Sequence, residues 1–443
     1  MILLSFFWFT FLYFYVYNKS KNDDLFAPAK FISLKFAFFN LPFILFIYFN
    51  PELFYERILG VCNVSLDEAI LKYTIVQTVA FLSLIYGVSR LKTERIAHEN
   101  TKVKEKFDNY FAYKIIAILF FIVGITAYYT FLIDVGGLLY LLNNLTERTD
   151  IQSGQFVLFF LPFLSLSILF LLKCIALKNN IFDKILLVIS IVITIAVFSS
   201  LGGRKNALYL VITIIVGYHY FFKRINLSKI KKARLVYIGL LLSFYILVIP
   251  ILRSKEGFST LKDNKVELVE IFDLEDLVYS ISYTYIDVFA CNYFNSENAW
   301  KMSSSLDIVE NFTNRTASKE QLPPIDDGVY FRTIYENNQY YKPPVARNNL
   351  YLSSWPIENF GFSYANLLLF GTIIFFYFQG RIFAYTYKQT IKHIKNPVLV
   401  YLYVFVIFNF NFSNLRIVQC IVLTPILISS YLVYKLLSRT NEN

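Results

Sequence analysis

The sequence predicts an all-α polytopic membrane protein with about 11 transmembrane helices and one large outer loop. Hydrophobic residues make up 56% of the 443-residue chain and charged residues only 16%. A soluble domain of this length would need more charge to cover its surface. Apolar segments of roughly 20 residues, each long enough to cross a bilayer as a helix, recur along the chain. This rhythm breaks once, for a polar stretch between Arg253 and Phe362.

We predict eight spans before the polar stretch and three after it, each bounded by polar or basic residues. The first eight are Met1–Tyr17, Phe31–Asn50, Ala69–Ser89, Ala112–Ile133, Phe156–Leu172, Ile185–Leu201, Asn206–Phe222 and Leu235–Leu252. The last three are Ser363–Gln379, Pro397–Phe410 and Ile417–Tyr434. The tenth span is short, and the turn after it must be tight. The chain therefore divides into residues 1–252, 253–362 and 363–443, the last with a short inner tail.

The orientation of the spans follows from the placement of Lys and Arg. Loops 90–111 and 223–234 carry six such cations each, loop 381–396 carries four, and loops 18–30 and 173–184 carry three each. The short loops on the opposite side carry five in all. Cytoplasmic loops are enriched in Lys and Arg. We therefore predict that the N-terminus is outside, the C-terminus is inside and the long loop is outside.

The same charge pattern argues against nucleic-acid binding. The net charge is +11, but the cations are distributed over alternate loops and do not form one basic face.

The four cysteines, Cys62, Cys174, Cys291 and Cys420, have no metal-ligand spacing. We predict neither a metal nor another cofactor. The first segment lacks a basic leader and a small-residue cleavage site, so we expect it to remain as a helix.

The long loop is predicted to be solvated and partly helical. It carries 16 acidic residues between Glu256 and Glu358. Apolar residues at helical spacing within Leu261–Phe289 favour one or two amphipathic helices on the membrane surface. Two Pro-Pro pairs, at 323–324 and 343–344, indicate an irregular second half. Its aromatic side chains are candidates for stacking on sugar rings, with local packing as the alternative: Tyr283, Tyr285, Tyr330, Tyr335, Tyr340, Tyr341 and Trp355.

Several cations lie on the outer side, where the positive-inside pattern does not place them. Gly202-Gly203-Arg204-Lys205 joins spans six and seven, and the glycines let the backbone approach a ligand closely. Arg204 and Lys205 open a helix, whose N-terminus attracts anions. Further outer cations are Arg148, Arg253, Arg347 and Arg416. Because Arg binds phosphate oxygens in a bidentate manner, these residues predict a site for a lipid-linked diphosphate. The alternative is snorkelling to lipid headgroups.

A general base on the outer side would have to be a carboxylate, because His98, His219 and His393 all fall on or near the inner side. The candidates are Asp287, Glu358, Glu336 and the pair Asp326-Asp327. Most outer carboxylates are expected to be ordinary solvated groups. Glu358 is the best placed, since it directly precedes span nine, where burial would raise its pKa. We do not predict a metal at Asp326-Asp327.

Three features together resemble the bacterial O-antigen polymerases, the Wzy-type oligosaccharide repeat-unit polymerases. They are the span topology with one long outer loop, the Ser-Leu-Gly-Gly-Arg204-Lys turn, and Pro356-Ile-Glu358-Asn-Phe-Gly361 before a span that ends in Gly380-Arg381. Gly136-Gly137-Leu-Leu-Tyr, which leads towards Arg148, is also similar. The chain departs from the family's Arg-x15-Gly element, because Arg347 and Gly361 are spaced Arg-x13-Gly.

The resemblance implies a GT-C-like helical bundle in the inner membrane of a Gram-negative bacterium, with metal-independent transfer of undecaprenyl-diphosphate-linked glycans. A chain-length regulator protein is a further partner it implies. On this interpretation we assign Arg204, Arg253 and Arg416 to binding the diphosphates. We assign Glu358 to the acceptor hydroxyl. Binding roles go to Gly203, Lys205, Arg148, Arg347 and Asp287. A flippase, which needs polar spans, and a ligase, which would want an outer histidine, are the alternatives.

Overall fold

The computed structural model describes residues 1–20, 24–90, 110–143, 157–200, 204–225, 282–316, 324–351, 354–394 and 396–439. Within these ranges every regular element is a helix, which agrees with the predicted fold class. The first nine helices are α1 (Ile2–Lys19), α2 (Pro28–Phe49), α3 (Pro51–Phe54), α4 (Leu66–Ser89), α5 (Tyr110–Val135), α6 (Leu138–Asn143), α7 (Val157–Leu177), α8 (Ile181–Ser200) and α9 (Arg204–Phe221). A π-helical turn, Tyr55–Leu59, follows α3.

Six further helices follow: α10 (Thr284–Tyr293), α11 (Asp307–Thr316), α12 (Asp327–Asn337), α13 (Asn359–Lys392), α14 (Pro397–Asn409) and α15 (Asn414–Arg439). The prediction of an irregular second half of the loop is therefore wrong where α11 and α12 form. The Asp326 side chain caps α12 by accepting the Val329 N–H at 2.9 Å. Most of the predicted amphipathic segment Leu261–Phe289 lies outside the described residues, and α10 begins near its end.

Seven of the described helices are long and apolar enough to cross a membrane: α2, α4, α5, α7, α8, α13 and α15. The apolar part of α9 and the whole of α14 are shorter. Ten of the predicted spans each fall on one of α1, α2, α4, α5, α7, α8, α9, α13, α14 and α15. The remaining span, 235–252, lies outside the described residues, so the count of eleven stays a prediction.

The helices run between two faces of the bundle. Met1 lies beside Asp67, with the terminal nitrogen 3.3 Å from the carboxylate, so α1 and α4 begin at the same face. We call it the amino-terminal face. Trp8 donates to the Thr78 hydroxyl at 2.9 Å, which keeps the two helices parallel. We call the opposite face, where α1 ends at Lys19 and α13 ends at Lys392, the basic face.

Glycines let α4 and α13 touch through their backbones. A Cβ at Gly87 would lie 2.2 Å from the Tyr377 carbonyl oxygen. A Cβ at Gly380 would lie 2.1 Å from the Leu84 carbonyl oxygen. Small residues at such crossings allow close van der Waals packing, which is the main attraction between helices surrounded by lipid. The α4–α13 pair therefore forms a rigid centre for the elements around it.

A break divides α13 into two arms. Leu367 and Leu368 leave helical geometry, with Leu368 at φ 53°. The Asn359 amide donates to the Gln379 side chain at 3.1 Å, although 20 residues of straight helix would separate them by about 30 Å. The short arm, 359–366, therefore folds back along the long arm, 369–392. Phe362 and Phe375 make an edge-to-face contact across the two arms, with ring centroids 5.2 Å apart.

A buried cluster joins three elements near the basic face. Asp24, between α1 and α2, is 1% exposed and lies 2.9 Å from His219 Nε2 of α9. The Tyr387 hydroxyl of α13 donates to the same carboxylate at 2.9 Å. Because His219 Nδ1 accepts the Ile225 N–H at 2.9 Å, the ring proton sits on Nε2 and faces Asp24. The cluster fixes the α1–α2 loop against α9 and α13.

Residues 294–357, where described, pack around an aromatic core and form what we call the loop domain. Trp300 is fully buried, 5.1 Å from the ring of Phe294 and 5.4 Å from that of Phe331. The backbone N–H of Trp300 donates to the Ala365 carbonyl at 2.8 Å, at the end of the short arm of α13. The loop domain is therefore bonded to the hairpin and moves with it.

Candidate functional site

Glu358 is the residue before α13, and the hairpin sets its depth in the bundle. Asn359, the next residue, bonds to Gln379, which donates to the Phe410 carbonyl at 2.8 Å. Gln379 is thirteen residues from the end of α13 at Lys392, or about 20 Å along a helix. Glu358 therefore lies beside the middle of the long arm of α13, and not at the outer end of a straight span nine, where the predicted start at Ser363 would have placed it.

The turn between α14 and α15 meets Glu358 at this depth. The Asn411 amide donates to Glu358 Oε2 at 3.3 Å. The Phe412 N–H donates to the Asn359 side chain at 3.3 Å. The Asn411 side-chain oxygen accepts from both the N–H and the hydroxyl of Ser413, at 3.0 and 2.6 Å. The turn is tight, as its composition indicates, and it holds the Glu358 carboxylate from one side.

Asp287 of α10 supplies a second carboxylate near Glu358. Burial, and then the negative charge of Glu358, raise the pKa of Asp287 well above its ordinary value. Each residue keeps part of its surface exposed, although the Asp287 carboxyl group itself lies in a buried environment. The structure thus places two of the candidate carboxylates within reach of each other's charge. We call Asp287 and Glu358 the carboxylate pair.

A polar network continues from α10 into the bundle. The Thr284 hydroxyl, at the start of α10, donates to the Asn40 side chain at 3.0 Å. Asn40 in turn donates to the Tyr13 hydroxyl at 2.8 Å. The Ser282 hydroxyl donates to the Phe39 carbonyl at 2.7 Å. These bonds fix the N-terminal end of α10 against α2, so the position of Asp287 one turn later is set by the bundle.

The carboxylate pair has the electrostatics of an acid and a base. Two carboxyl groups in different surroundings titrate apart when burial and mutual repulsion favour the neutral form of one. Here burial, and then the charge of Glu358, favour the neutral form of Asp287. A neutral carboxyl can donate a hydrogen bond, while a carboxylate can accept a proton. The two residues therefore offer the chemistry of a donor and of a base.

Arg416 lies in the first turn of α15, just after the turn that contacts Glu358. Its guanidinium donates to the Gln419 side chain at 2.6 Å. Burial raises the pKa of the nearby Asp326, and the positive charge of Arg416 partly offsets this. Arg416 opens a helix that is long and apolar enough to cross a membrane, as the sequence predicts. It lies five positions after Asn411, whose amide donates to Glu358.

Asp326 and Asp327 hold structural elements together. Asp326 caps α12 and accepts the Ser354 hydroxyl at 2.6 Å. Asp327 Oδ2 accepts the Asn414 N–H at 2.9 Å and so caps α15 from the loop domain. In the part of the chain that the structure describes, no group of three or more His, Cys, Asp or Glu side chains is arranged to hold a metal ion.

The other predicted anion ligands are not brought together among the described side chains. Arg347 forms an ion pair with Glu310 of α11, with its Nη2 3.0 Å from Glu310 Oε1. Arg204 and Lys205 do open a helix, α9, but their side chains lie outside the described part. Arg148, Gly203 and Arg253 also lie outside it. The diphosphate site built on these residues therefore stays a prediction.

Two further arginines, Arg57 and Arg332, lie among the aromatic side chains of this region. The Arg332 guanidinium lies 5.4 Å from the Tyr351 ring centroid and 5.9 Å from that of Trp355. Arg57, in the π-helical turn, accepts the Tyr335 hydroxyl through its carbonyl. Burial raises the pKa of Tyr285 to about 12, and the charges of both arginines oppose this rise. Arg57 was visible as an outer cation, whereas no sequence pattern indicates the stacking of Arg332.

Most of the aromatic side chains proposed to stack on sugars pack on one another. Trp355 is 6% exposed, with its ring 5.0 Å from that of Tyr335 and 5.7 Å from that of Tyr285. Tyr330 is fully buried. The packing alternative therefore holds for Trp355 and Tyr330, while Tyr340 is 37% exposed and stays accessible.

Comparison of the chain with protein-family models, curated proteins and solved structures gives no match. The functional argument therefore depends on the membrane topology and on the geometry of the carboxylate pair.

Proposed function

We propose that the protein polymerises oligosaccharide repeat units carried on undecaprenyl diphosphate, at the periplasmic face of a bacterial inner membrane. The observation that carries the proposal is the contact of the Glu358 carboxylate with the Asn411 turn, within a bundle of helices long and apolar enough to cross a membrane. A second carboxyl, Asp287, has its pKa raised by burial and then by the charge of Glu358. Both carboxyl groups sit inside a membrane bundle, beneath a loop domain that contains arginine and tyrosine side chains. The amino-terminal face corresponds to the periplasmic side in this proposal.

The reaction is a glycosyl transfer that needs no metal ion. A hydroxyl of the acceptor's sugar attacks the anomeric carbon of the donor, and a new carbon–oxygen bond forms. The bond from that carbon to the diphosphate breaks, and the lipid diphosphate leaves with its electrons. Glu358 takes the proton of the attacking hydroxyl, and Asp287 in its neutral form donates a hydrogen bond to the sugar. This division of roles follows from the raised pKa of Asp287.

Arginines stabilise the leaving diphosphate in this scheme. Arg416 is the described candidate, because it follows the turn whose Asn411 amide bonds to Glu358. Arg204 and Arg253 remain proposed partners from their position in the sequence, with Gly203, Lys205, Arg148 and Arg347 in binding roles. A donor aimed at charge that develops in the transition state contributes about 2.7–4 kcal/mol to catalysis.

The experiment that tests the proposal is a gel of surface polysaccharide from a strain that lacks the gene. We expect the ladder to be replaced by a single band of lipid core plus one repeat unit, since export and attachment continue without polymerisation. Bare core would instead support a flippase or a ligase. An unchanged ladder would remove the protein from this pathway.

A second measurement separates catalysis from an indirect effect on the pathway. Purified protein in lipid nanodiscs is given the lipid-linked repeat unit, and the release of undecaprenyl diphosphate is followed with time. Release that accompanies growth of the polymer supports glycosyl transfer by this chain. Export of the unit without release of the diphosphate would contradict the proposal.

A further inference from the structure

A cavity of about 330 Å³ opens on the loop domain, away from the carboxylate pair. It lies between the C-terminal end of α12 and the chain that follows a 3-10 turn, Arg347–Asn349. Its lining residues are Asn337, Tyr341, Asn348, Asn349, Leu350 and Tyr351. Small-molecule sites have volumes from about 300 Å³ upwards. The cavity is therefore large enough for a small ligand.

The chemistry of the lining narrows the class of ligand. Three side-chain amides and two phenol groups offer both donors and acceptors, and none of the lining side chains is charged. Tyr341 and Tyr351 add apolar ring faces, and Tyr351 is 48% exposed. An anion would require cations in the lining, and a lipid tail or an apolar peptide would require an apolar surface. A sugar ring, with hydroxyls around its edge and C–H groups on its faces, matches amides beside aromatic rings.

The walls of the cavity are fixed before any ligand binds. The Tyr351 N–H donates to the Thr333 hydroxyl of α12 at 2.9 Å. The Val345 N–H donates to the Tyr330 hydroxyl at 3.3 Å, and Trp300 Nε1 donates to the Tyr341 carbonyl at 3.1 Å. These bonds attach both sides of the cavity to the aromatic core of the loop domain. A site ordered in advance loses less entropy on binding, which favours even a weak ligand.

The cavity also has a direct structural link to the carboxylate pair. The Arg332 guanidinium stacks between Tyr351, on the cavity wall, and Trp355. Trp355 precedes Glu358 by three residues, a span of at most about 10 Å of extended chain. The wall of the cavity and the segment that leads to Glu358 therefore contact the same arginine.

We propose that this cavity is a saccharide-binding subsite for an uncharged sugar ring of the glycan. The proposal rests on the proposed function for the origin of the glycan, which is either the growing chain or the incoming repeat unit. It does not rest on it for the binding itself. The amide of Asn349 and the ring of Tyr351 are the contacts that carry it.

The test measures binding of the host's own soluble surface polysaccharide, released by mild acid, to the full-length protein in nanodiscs. Tryptophan fluorescence and saturation-transfer NMR report the binding. We expect Asn349→Ala and Tyr351→Ala to weaken binding about tenfold or more, as loss of a well-placed contact does. Val309→Ala is the control, because Val309 is a 71% exposed residue of the loop domain that does not line the cavity. It should bind like the wild type.

Two further arms assign the sugar and separate this inference from the proposed function. If the cavity holds the growing chain, the two variants make shorter polymer at the wild-type initial rate. If it holds the incoming unit, they show a raised KM for that unit and normal length at saturation. Glu358→Gln should keep wild-type binding while it loses polymerisation. Saturable binding with an unchanged ladder in the deletion strain would keep the subsite and reject the polymerase.

The inference is overturned by either of two results. One is the absence of saturable binding to the wild-type protein while the protein polymerises normally. The other is wild-type affinity in both Asn349→Ala and Tyr351→Ala, which would mean that the saccharide binds elsewhere. Circular dichroism of each variant confirms that the fold is kept, and Tyr351→Phe, which retains the ring, should preserve most of the affinity.

Discussion

Glu358 and Asp287 carry the same chemical group, and their surroundings give the two carboxyls different properties. Glu358 accepts a hydrogen bond from the Asn411 amide at 3.3 Å. Asp287 lies on α10, where burial and the neighbouring Glu358 raise its pKa. Position alone in a single sequence cannot reveal this difference, because it depends on a contact between residues 71 positions apart.

Glu358→Gln should abolish most of the proposed activity. Glutamine has nearly the same shape and can still accept from Asn411, but it cannot take a proton. Loss of a general base typically costs about 10²–10⁴-fold in rate. The measurement is the release of undecaprenyl diphosphate by protein in nanodiscs. Glu297→Gln, at an exposed position of the loop domain, is the control. A wild-type rate in Glu358→Gln would remove Glu358 from its role.

The pH dependence of activity should report Asp287. Burial and then the charge of Glu358 raise this pKa, so the carboxyl holds its proton to a higher pH than an ordinary aspartate and releases it as the pH rises further. We therefore expect the rate to fall towards alkaline pH, since the ionised group no longer donates to the sugar. Asp287→Asn keeps a donor at all pH values, so it should remain active and lose the alkaline fall. A variant with the wild-type alkaline limb would show that another group titrates.

The hairpin of α13 is the element that creates the site. A straight helix from Asn359 would carry Glu358 to the edge of the bundle, whereas the reversal at Leu367 and Leu368 brings it back beside Gln379. The long arm packs backbone to backbone against α4, so it provides a rigid wall. Two non-helical residues within an apolar run, one of them with a positive φ, leave little trace in composition. The predicted span accordingly ran straight through the break.

Gly371→Ala should open this hairpin. A Cβ at position 371 would lie 2.4 Å from the Ser363 carbonyl oxygen, so one arm must shift. Overpacking of this kind costs about 1–3 kcal/mol. We expect a lower unfolding temperature and a loss of activity, both measured in nanodiscs. Leu369→Ala, at a 40% exposed position of the same arm, should change both much less. Equal behaviour of the two variants would argue against tight contact of the arms.

On the scale of the molecule, the loop domain and the bundle are joined by buried carboxyl groups. Asp327 accepts the Asn414 N–H that begins α15. Burial raises the pKa of Asp327 to about 7 and that of Asp307 to about 6.

At the basic face the pKa of Asp24 is shifted in the opposite direction, below its ordinary value. Burial raises its pKa, but His219, the Phe26 N–H and Tyr387 together outweigh this and leave the pKa below its ordinary value.

Stability should fall as the pH rises from about 4 to about 7. In this window folded Asp327 and Asp307 still hold protons that the unfolded chain has released. The free energy of unfolding therefore decreases as the pH rises. For Asp327, whose ordinary pKa is 3.8, the full effect is about 4 kcal/mol. Asp24 contributes stability above pH 3.8 and loses it below, outside this window.

Thermal unfolding at pH 5 and pH 8, followed by tryptophan fluorescence, checks this dependence. Asp327→Asn keeps an oxygen that can accept the Asn414 N–H and removes the titration. We expect it to shrink the difference between the two pH values. Asp134→Asn, at an exposed position at the end of α5, is the control and should leave the difference unchanged. A full wild-type difference in Asp327→Asn would mean that other groups cause it.

Composition and periodicity were sufficient for the helical class and for the position of ten predicted spans on helices. The reason is that the free energy of placing a segment in lipid depends on the residues of that segment alone. The tight turn at Asn411 could also be predicted from the sequence, because turn residues favour a turn through their local conformational preferences. Candidate carboxylates could be named because an outer base had to be found among few residues.

The selection of the carboxylate pair among those candidates came from contacts between distant segments. Glu358 accepts a hydrogen bond from Asn411, 53 positions later in the chain. The charge of Glu358 also acts on Asp287, 71 positions earlier. Arg347 illustrates the converse, because an outer arginine that suggested a phosphate ligand pairs with Glu310. Desolvation and charge–charge energies depend on distance in space, which the order of residues along the chain does not fix.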